Sequence, residues 1–341
     1  MSNNFTPVQD NNVTAMNVIK EYDIVPENIK LIQGGTIKTV WKVSSAGGHL
    51  CLKRLKQTMD KALFSVNAQI YIKNSGGLVP GVILNRKGNP ITEYGGQLFV
   101  LYEWIDGRDL NFASPSDLKL ALQGLAHFHM ASKGYKAPEG ARVSSKLGKW
   151  PEQYTSMVKK LSEWKDMATR NPSVPQYSVY LAHADNMLSL ADKALKMLNE
   201  TIYSELAKPD SASVVLCHQD YGKGNALAAD NGVYVLDLDG VTYDLPVRDL
   251  RKIIGKNSEN NRQWSAKTIA EITEWYTVIN PMNSDEIRIL QADLTFPHWF
   301  YGLVKNLFQN GKSLKPAEIE KTAVLESSKE EVLELCFRRS D

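Results

Sequence analysis

Asp220, Asn225 and Asp237 are the residues of this 341-residue chain whose types and spacing could do chemistry together. The first two stand in the stretch His218-Gln219-Asp220-Tyr221-Gly222-Lys223-Gly224-Asn225, and the third follows the apolar run Val233-Tyr234-Val235-Leu236. Transfer of a γ-phosphoryl group asks a protein for a carboxylate beside the accepting hydroxyl and oxygen ligands for Mg²⁺, with little covalent work besides. The His-x-Asp-x₄-Asn spacing sets a base and one metal ligand at opposite ends of a short loop, and the apolar run delivers a second ligand at a strand end. Asp220 is therefore read as the catalytic base, with Asn225 and Asp237 as Mg²⁺ ligands. A plain hairpin with an acidic end also fits these residues, because Asn231-Gly232 is a hairpin turn signal. The context favours the chemistry: Ser213-Val214-Val215-Leu216-Cys217 before the loop completes a strand, loop, turn, strand order.

Such a loop needs a second set of elements to hold the nucleotide. Ile29 to Gln33, Thr39 to Val43, Leu50 to Leu55, Gly81 to Leu84 and Gln97 to Ile105 are apolar or alternating runs separated by glycine-rich turns, a pattern that predicts an antiparallel sheet. Alternation in Leu50-Cys51-Leu52-Lys53 sends the leucines to one face and Lys53 to the other, where its ammonium could meet phosphates. Gly34-Gly35 lacks side chains that would keep phosphates from the backbone, although a simple turn explains the same pair. The main chain of Glu103 and Trp104, just before Asp106-Gly107, offers a surface for an adenine. A helix spans about 60–73 after Lys53. It carries no glutamate to pair with that lysine, Gln69 being the nearest polar substitute.

The rest reads as helical scaffold. Ser114 and Pro115 open a helix with Leu118, Leu122, Leu125 and Phe128 inward. His127 and His129 on it lie two apart and cannot share a metal. Residues 133–204 form a helical insertion with Trp150, Tyr154, Met157, Leu161 and Trp164 on one stripe and Ala184, Leu188, Ala191, Leu195, Leu198 and Ile202 on another. Asp249 reads as an anchor for the catalytic loop by hydrogen bonds. The organisation expected is an N-terminal β-rich nucleotide lobe, 1–105, and a C-terminal helical lobe, 106–341, since one core rarely serves a chain this long.

A net charge of +2 with 23% charged residues gives no polyanion footprint, so nucleic acid is not an expected partner. Three cysteines, Cys51, Cys217 and Cys336, without CxxC spacing suggest neither a disulfide framework nor a zinc site. No secretion signal or membrane span is expected.

The Lys53 lobe, Tyr102-Glu103-Trp104-Ile105, Leu125-Ala126-His127-Phe128-His129, the His218 to Asn225 loop and Asp237-Leu238-Asp239 resemble the aminoglycoside phosphotransferase and choline kinase superfamily. More narrowly, Phe99-Val100-Leu101-Tyr102-Glu103-Trp104-Ile105-Asp106-Gly107-Arg108, Ala131-Ser132-Lys133-Gly134-Tyr135 and Val235-Leu236-Asp237-Leu238-Asp239-Gly240 resemble the CotS-type spore coat proteins. The resemblance implies an α+β, two-lobed protein kinase-like fold, ATP or another NTP with Mg²⁺ as cofactors, and a place in the spore coat after synthesis in the mother-cell cytoplasm. It implies the roles already given for Asp220, Asn225 and Asp237, Lys53 toward the α- and β-phosphates, and Gly34 and Gly35 in the phosphate loop. Two functions follow: a phosphotransferase acting on a small hydroxylated molecule or coat component, or a degenerate kinase-like protein that binds other coat proteins. Gln219 stands where aminoglycoside kinases usually carry glycine, and the missing helix glutamate leaves Lys53 without the partner those enzymes give it.

Overall fold

The computed structural model describes residues 8–34 and 39–337. In chain order, α1 (Val8–Ile19) leads into β1 (Pro26–Gln33), β2 (Thr39–Ser45), β3 (Gly48–Leu55), α2 (Met59–Asn74), β4 (Val82–Ile83), β5 (Thr92–Tyr94), β6 (Gln97–Glu103) and β7 (Arg108–Asp109). Then come α3 (Pro115–Ser132), α4 (Trp150–Thr169), α5 (Pro175–Asn199), α6 (Tyr203–Leu206), β8 (Val215–Cys217), β9 (Ala226–Ala229) and β10 (Gly232–Val235). After β11 (Thr242–Asp244) the chain is helical: α7 (Val247–Asn261), α8 (Ala266–Thr277), α9 (Ser284–Thr295), α10 (His298–Phe308), α11 (Pro316–Ser327) and α12 (Lys329–Cys336). The chain divides into two units, the first of Met1–Asn111, His127–Ser144 and Asp220–Thr242, the second of Phe112–Ala126, Ser145–Gln219 and Tyr243–Asp341.

The first unit is built on an antiparallel sheet of order β1-β2-β3-β6-β4, with β5 also on β6. Strand alternation divides its side chains between two faces. Trp41, Val43, Leu52, Phe99 and Leu101 meet Ala15, Val18, Ile19 and Tyr22 on one. Val100, Tyr102, Leu55 and Leu98 meet Ala62 and Val66 of α2 on the other. Lys53 shares this second face, as its parity with Leu52 requires, since Lys53 pairs with Val100 and Cys51 with Tyr102 across the β3–β6 ladder. The sequence reading gave no helix before β1. The signal was there in the i, i+3, i+4, i+7 spacing of Ala15, Val18, Ile19 and Tyr22, masked by the polar Asn and Thr residues around it. The same unit holds a small antiparallel sheet of order β10-β9-β7.

The second unit is mainly helical. Trp150, Tyr154, Leu161 and Trp164 are the buried stripe of α4, and Trp164 stacks on Phe308 at 5.4 Å between centroids. On α5 the buried face carries Tyr180, Ala184, Met187, Leu190, Ala191, Ala194 and Leu198, whereas Ile202, expected on that stripe, lies beyond the helix and is exposed. Asn283 and Glu286 close a capping box at the start of α9, satisfying amides that no helical carbonyl can reach.

Candidate functional site

Lys53 is a buried charge of the first unit gripped by two carboxylates. Its side chain is buried, with Nζ 2.5 Å from Asp237 Oδ1 and 2.7 Å from Asp239 Oδ2. Burial alone would pull its pKa down; the nearby carboxylates of Asp239 and Asp237 outweigh that and leave it above the ordinary lysine value. The sequence reading expected this lysine to lack an orienting partner, because α2 offers no acid where one would be needed. The side chain of Gln69 is indeed turned elsewhere, its amide donating to the Pro80 carbonyl at 2.6 Å. The partners come instead from a turn more than 180 residues further along the chain.

Local geometry explains how Asp237 arrives there. Strands β9 and β10 pair with Gly232 opposite Ala229 and Val235 opposite Ala226, so Asp230 and Asn231 form a two-residue turn. The ladder is prolonged by Leu236 N–H donating to the Asn225 carbonyl at 3.0 Å. This bond sets Asn225 and Asp237 beside each other at the open end of the hairpin. Asp237 then takes a left-handed conformation, φ 64° and ψ 62°, which breaks the strand and starts the short 3₁₀ turn Leu238–Gly240. Aspartate tolerates that region better than most residues. Asn225 Nδ2 donates to the Asp220 carbonyl at 2.9 Å, so the amide oxygen of Asn225 is the end left for a ligand.

Asn225, Asp237 and Lys53 line one cavity of about 310 Å³, together with Val40, Cys51, Tyr102, Leu227 and Leu236. Glu103, Trp104 and Ile105 complete its wall. The Glu103 carboxylate is engaged within the protein, where Oε2 accepts from Lys73 Nζ and from the Gly81 amide, each at 2.8 Å. Burial pushes that carboxyl up, and these two donors more than reverse it, leaving its pKa below the usual value. The Glu103 amide donates to the Gly81 carbonyl at 2.9 Å while the Trp104 amide donates to His49 on β3 at 3.3 Å, so the Glu103 carbonyl also faces away from β3. The Trp104 ring is held at the cavity by Lys42, 4.4 Å over its centroid, and by Nε1 donating to Asp106 at 3.0 Å. Gly34 follows β1 next to the cavity-lining Ile32 and Gln33 but does not itself line the cavity, and a Cβ there would meet Leu31 Cδ2 at 3.1 Å. Gly35 lies outside the described residues.

Asp220, the expected base, is exposed and is not part of the cavity wall. The two residues before it belong to the second unit. There Asp249 accepts from the main-chain amides of His218 at 2.6 Å and Gln219 at 3.0 Å, the anchoring expected of it. Gln219 has φ 74°, a conformation that glycine takes freely and glutamine at a cost of roughly 1–2 kcal/mol. Arg248 Nε, 3.0 Å from Gln219 Oε1, and Lys252 Nζ, donating to the Gln219 carbonyl, hold it in that state. Burial keeps the Lys252 ammonium below the ordinary lysine pKa. Sequence reasoning missed these two grips, and it also missed Asp239 and Gln57. The Asp237-x-Asp239 spacing could have pointed to Asp239.

An antiparallel sheet carrying a buried lysine, joined to a hairpin that ends in an asparagine and an aspartate and followed by a helical unit, defines a protein kinase-like fold. The chain belongs to the family described as "Spore coat putative kinase YutH", whose model matches residues 17–335. It is 24% identical over 283 residues to Spore coat protein S of Bacillus subtilis (strain 168), covering 83% of this chain and 81% of that protein. Among solved structures it is similar to an aminoglycoside phosphotransferase from Alicyclobacillus acidocaldarius subsp. acidocaldarius DSM 446, with TM-score 0.74, 16% identity and coverage of 98% of this chain and 96% of that one. It is also similar to an amicoumacin kinase in complex with AMP-PNP, Ca²⁺ and Ami, with TM-score 0.61, 14% identity and 94% of each chain covered. The protein is a spore coat kinase-like protein, as the sequence motifs implied. Among the described residues no helix is long and apolar enough to cross a membrane.

Proposed function

We propose that this protein binds ATP or another nucleoside triphosphate with Mg²⁺ and transfers the γ-phosphoryl group to a hydroxyl of a small molecule or coat component. The observation that carries the reading is the single cavity that brings Lys53, Asn225 and Asp237 together beside the main chain of Glu103 to Ile105. A base would lie against that main chain and its phosphates would meet Lys53. The amide oxygen of Asn225 and the carboxylate of Asp237 are hard oxygen donors of the kind Mg²⁺ takes, and Asp237 already neutralises a cation, the Lys53 ammonium. A bound Mg²⁺ would neutralise charge on the phosphates. Asp220 would accept the proton of the acceptor hydroxyl, a role worth about 10²- to 10⁴-fold in rate. The nucleotide bound in the amicoumacin kinase agrees with this reading. The family supports a location in the spore coat, reached from the mother-cell cytoplasm, and other coat proteins as partners.

A second reading, a nucleotide-binding coat component without turnover, is favoured by Gln69, which gives its amide to Pro80 and leaves α2 with no acid for Lys53. Melting the purified protein with ATP and Mg²⁺ tests what both readings share. At about 100 times the dissociation constant, ligand should add roughly 2.7 kcal/mol of stability, and Asp237→Ala should remove the shift. No shift in the wild type at saturating ligand would sink both. Phosphate transfer over a panel of hydroxylated acceptors, lost in Asp220→Asn, separates the first reading from the second.

A further inference from the structure

The cavity raises a question that the missing helix acid makes sharper: what aims Lys53 once a cation claims Asp237? The answer lies in the turn Leu238–Gly240. Asp239 Oδ2 stands 2.7 Å from Lys53 Nζ, so the lysine has a second carboxylate independent of the expected metal ligand. That turn is itself fastened. The Asp239 carbonyl accepts from Gln57 Nε2 at 2.7 Å, and Gln57 Oε1 accepts from Ser65 Oγ at 3.1 Å. Ser65 is a buried residue of α2. The helix that gives Lys53 no acid therefore still reaches the lysine, through a serine, a glutamine and the main chain of Asp239.

We infer that Asp239 is the positioning residue for Lys53 in this chain, held by the Gln57–Ser65 relay, so that Asp237 remains available as a metal ligand. This rests on the nucleotide reading above. The arrangement divides two tasks between two carboxylates two residues apart. Asp237, left-handed at the strand end, presents its side chain to the cavity. Asp239, inside the 3₁₀ turn, keeps the ammonium on the cavity side of β3. A charge-assisted hydrogen bond of this kind is worth enough to change affinity for a phosphate-bearing ligand by about tenfold if the lysine is released.

The test measures binding of ADP and of adenosine, by calorimetry in saturating Mg²⁺, to the wild type, Asp239→Asn, Lys53→Met and the double variant. With Mg²⁺ present Asp237 is engaged by the cation, and a contribution of Asp239 as a metal ligand would persist in the Lys53→Met background. Asp239→Asn is expected to weaken ADP about tenfold and leave adenosine unchanged, and in the Lys53→Met background the same substitution should have no further effect. A merely structural role would weaken adenosine as well, which would overturn the inference. Equal losses of ADP affinity in both backgrounds would overturn it too, because Asp239 would then act without the lysine, and so would unaltered ADP binding. If the wild type binds neither adenosine nor ADP, the nucleotide reading falls and takes the positioning role with it; if it binds both and Asp239→Asn is indistinguishable from wild type, only the positioning role falls. Gln57→Leu should reproduce the Asp239→Asn pattern in weaker form.

Discussion

Two clusters of buried charge in this protein look alike in composition and differ in what surrounds them. In the first unit Lys53 is paired with Asp237 and Asp239, whose side chains remain 24% and 35% exposed beside the cavity. In the second unit Lys329 is paired with Glu326 at 2.6 Å, both side chains 1% exposed. In the sealed pair both Glu326 oxygens and two of the three Lys329 protons are hydrogen-bonded. Glu326 Oε1 accepts from the amides of Trp299 and Phe300 at the start of α10, and Lys329 donates to the Phe296 carbonyl at 2.8 Å. Burial lowers the Lys329 pKa in spite of Glu326. The open cluster keeps solvent access to its acids, so those acids can exchange partners at small cost. The sealed pair is closed by protein groups, whereas the Lys53 cluster stands open to the cavity on one side.

The largest expected effect falls on the sealed pair. Glu326→Ala would strand the Lys329 ammonium and two helix amides, and should cost about 3–5 kcal/mol in urea unfolding. Lys53→Met should cost much less, about 1 kcal/mol, because Asp237 and Asp239 can rehydrate. Equal losses in the two variants would erase the distinction and make the Lys53 cluster structural.

His298 and Asp244 both belong to the second unit. Burial, with help from Arg251, pushes the His298 pKa down to about 4 against the pull of Asp293, 2.7 Å away. Its folded-state pKa is below the unfolded one, so His298 costs stability as pH falls from about 6.5 to about 4. Burial pushes Asp244 up to about 6 against Arg248. Its contribution is fully present below the unfolded pKa near 3.8 and is lost as pH rises through about 6. The two slopes oppose each other between about pH 4 and 6. Relative to wild type, Asp244→Asn should make stability rise with pH in that window by up to about 1.4 kcal/mol per unit, and His298→Gln should make it fall. Urea midpoints at a series of pH values decide this, and slopes of one sign in both variants would refute it. The smallest effect should come from Lys165→Met. Its partner Asp185 is 80% exposed, and loss of such a pair should move stability by about 0–1 kcal/mol.

The sheet and the large helices were legible because alternation and the 3.6-residue period record which face is buried. The stretch Leu50-Cys51-Leu52-Lys53 told which way Lys53 faces before any partner was known. What the sequence did not yield were relations set by long-range closure. Nothing near Lys53 in sequence announces Asp239, and nothing in Gln57 marks it as the link between α2 and the Leu238–Gly240 turn. Gln219 was read only as a departure from the glycine usual in aminoglycoside kinases. Its left-handed backbone and its hold by Arg248 and Lys252 depend on α7, which returns to it some 30 residues later. The helix at Val8–Ile19 was hidden by its polar residues, although its apolar spacing fits the face of β2, β3 and β6 that it covers.

The β9–β10 hairpin works as a ruler. Because Asn225 and Asp237 are brought together by ladder bonds and not by chain length, residues added between Asp230 and Asn231 would lengthen the tip and leave the two residues side by side. One residue removed within Ala226–Ala229 would slip the register and turn alternate side chains to the opposite face, parting them. The spacing of these residues along the chain is thus free to drift at the tip and fixed in the strands.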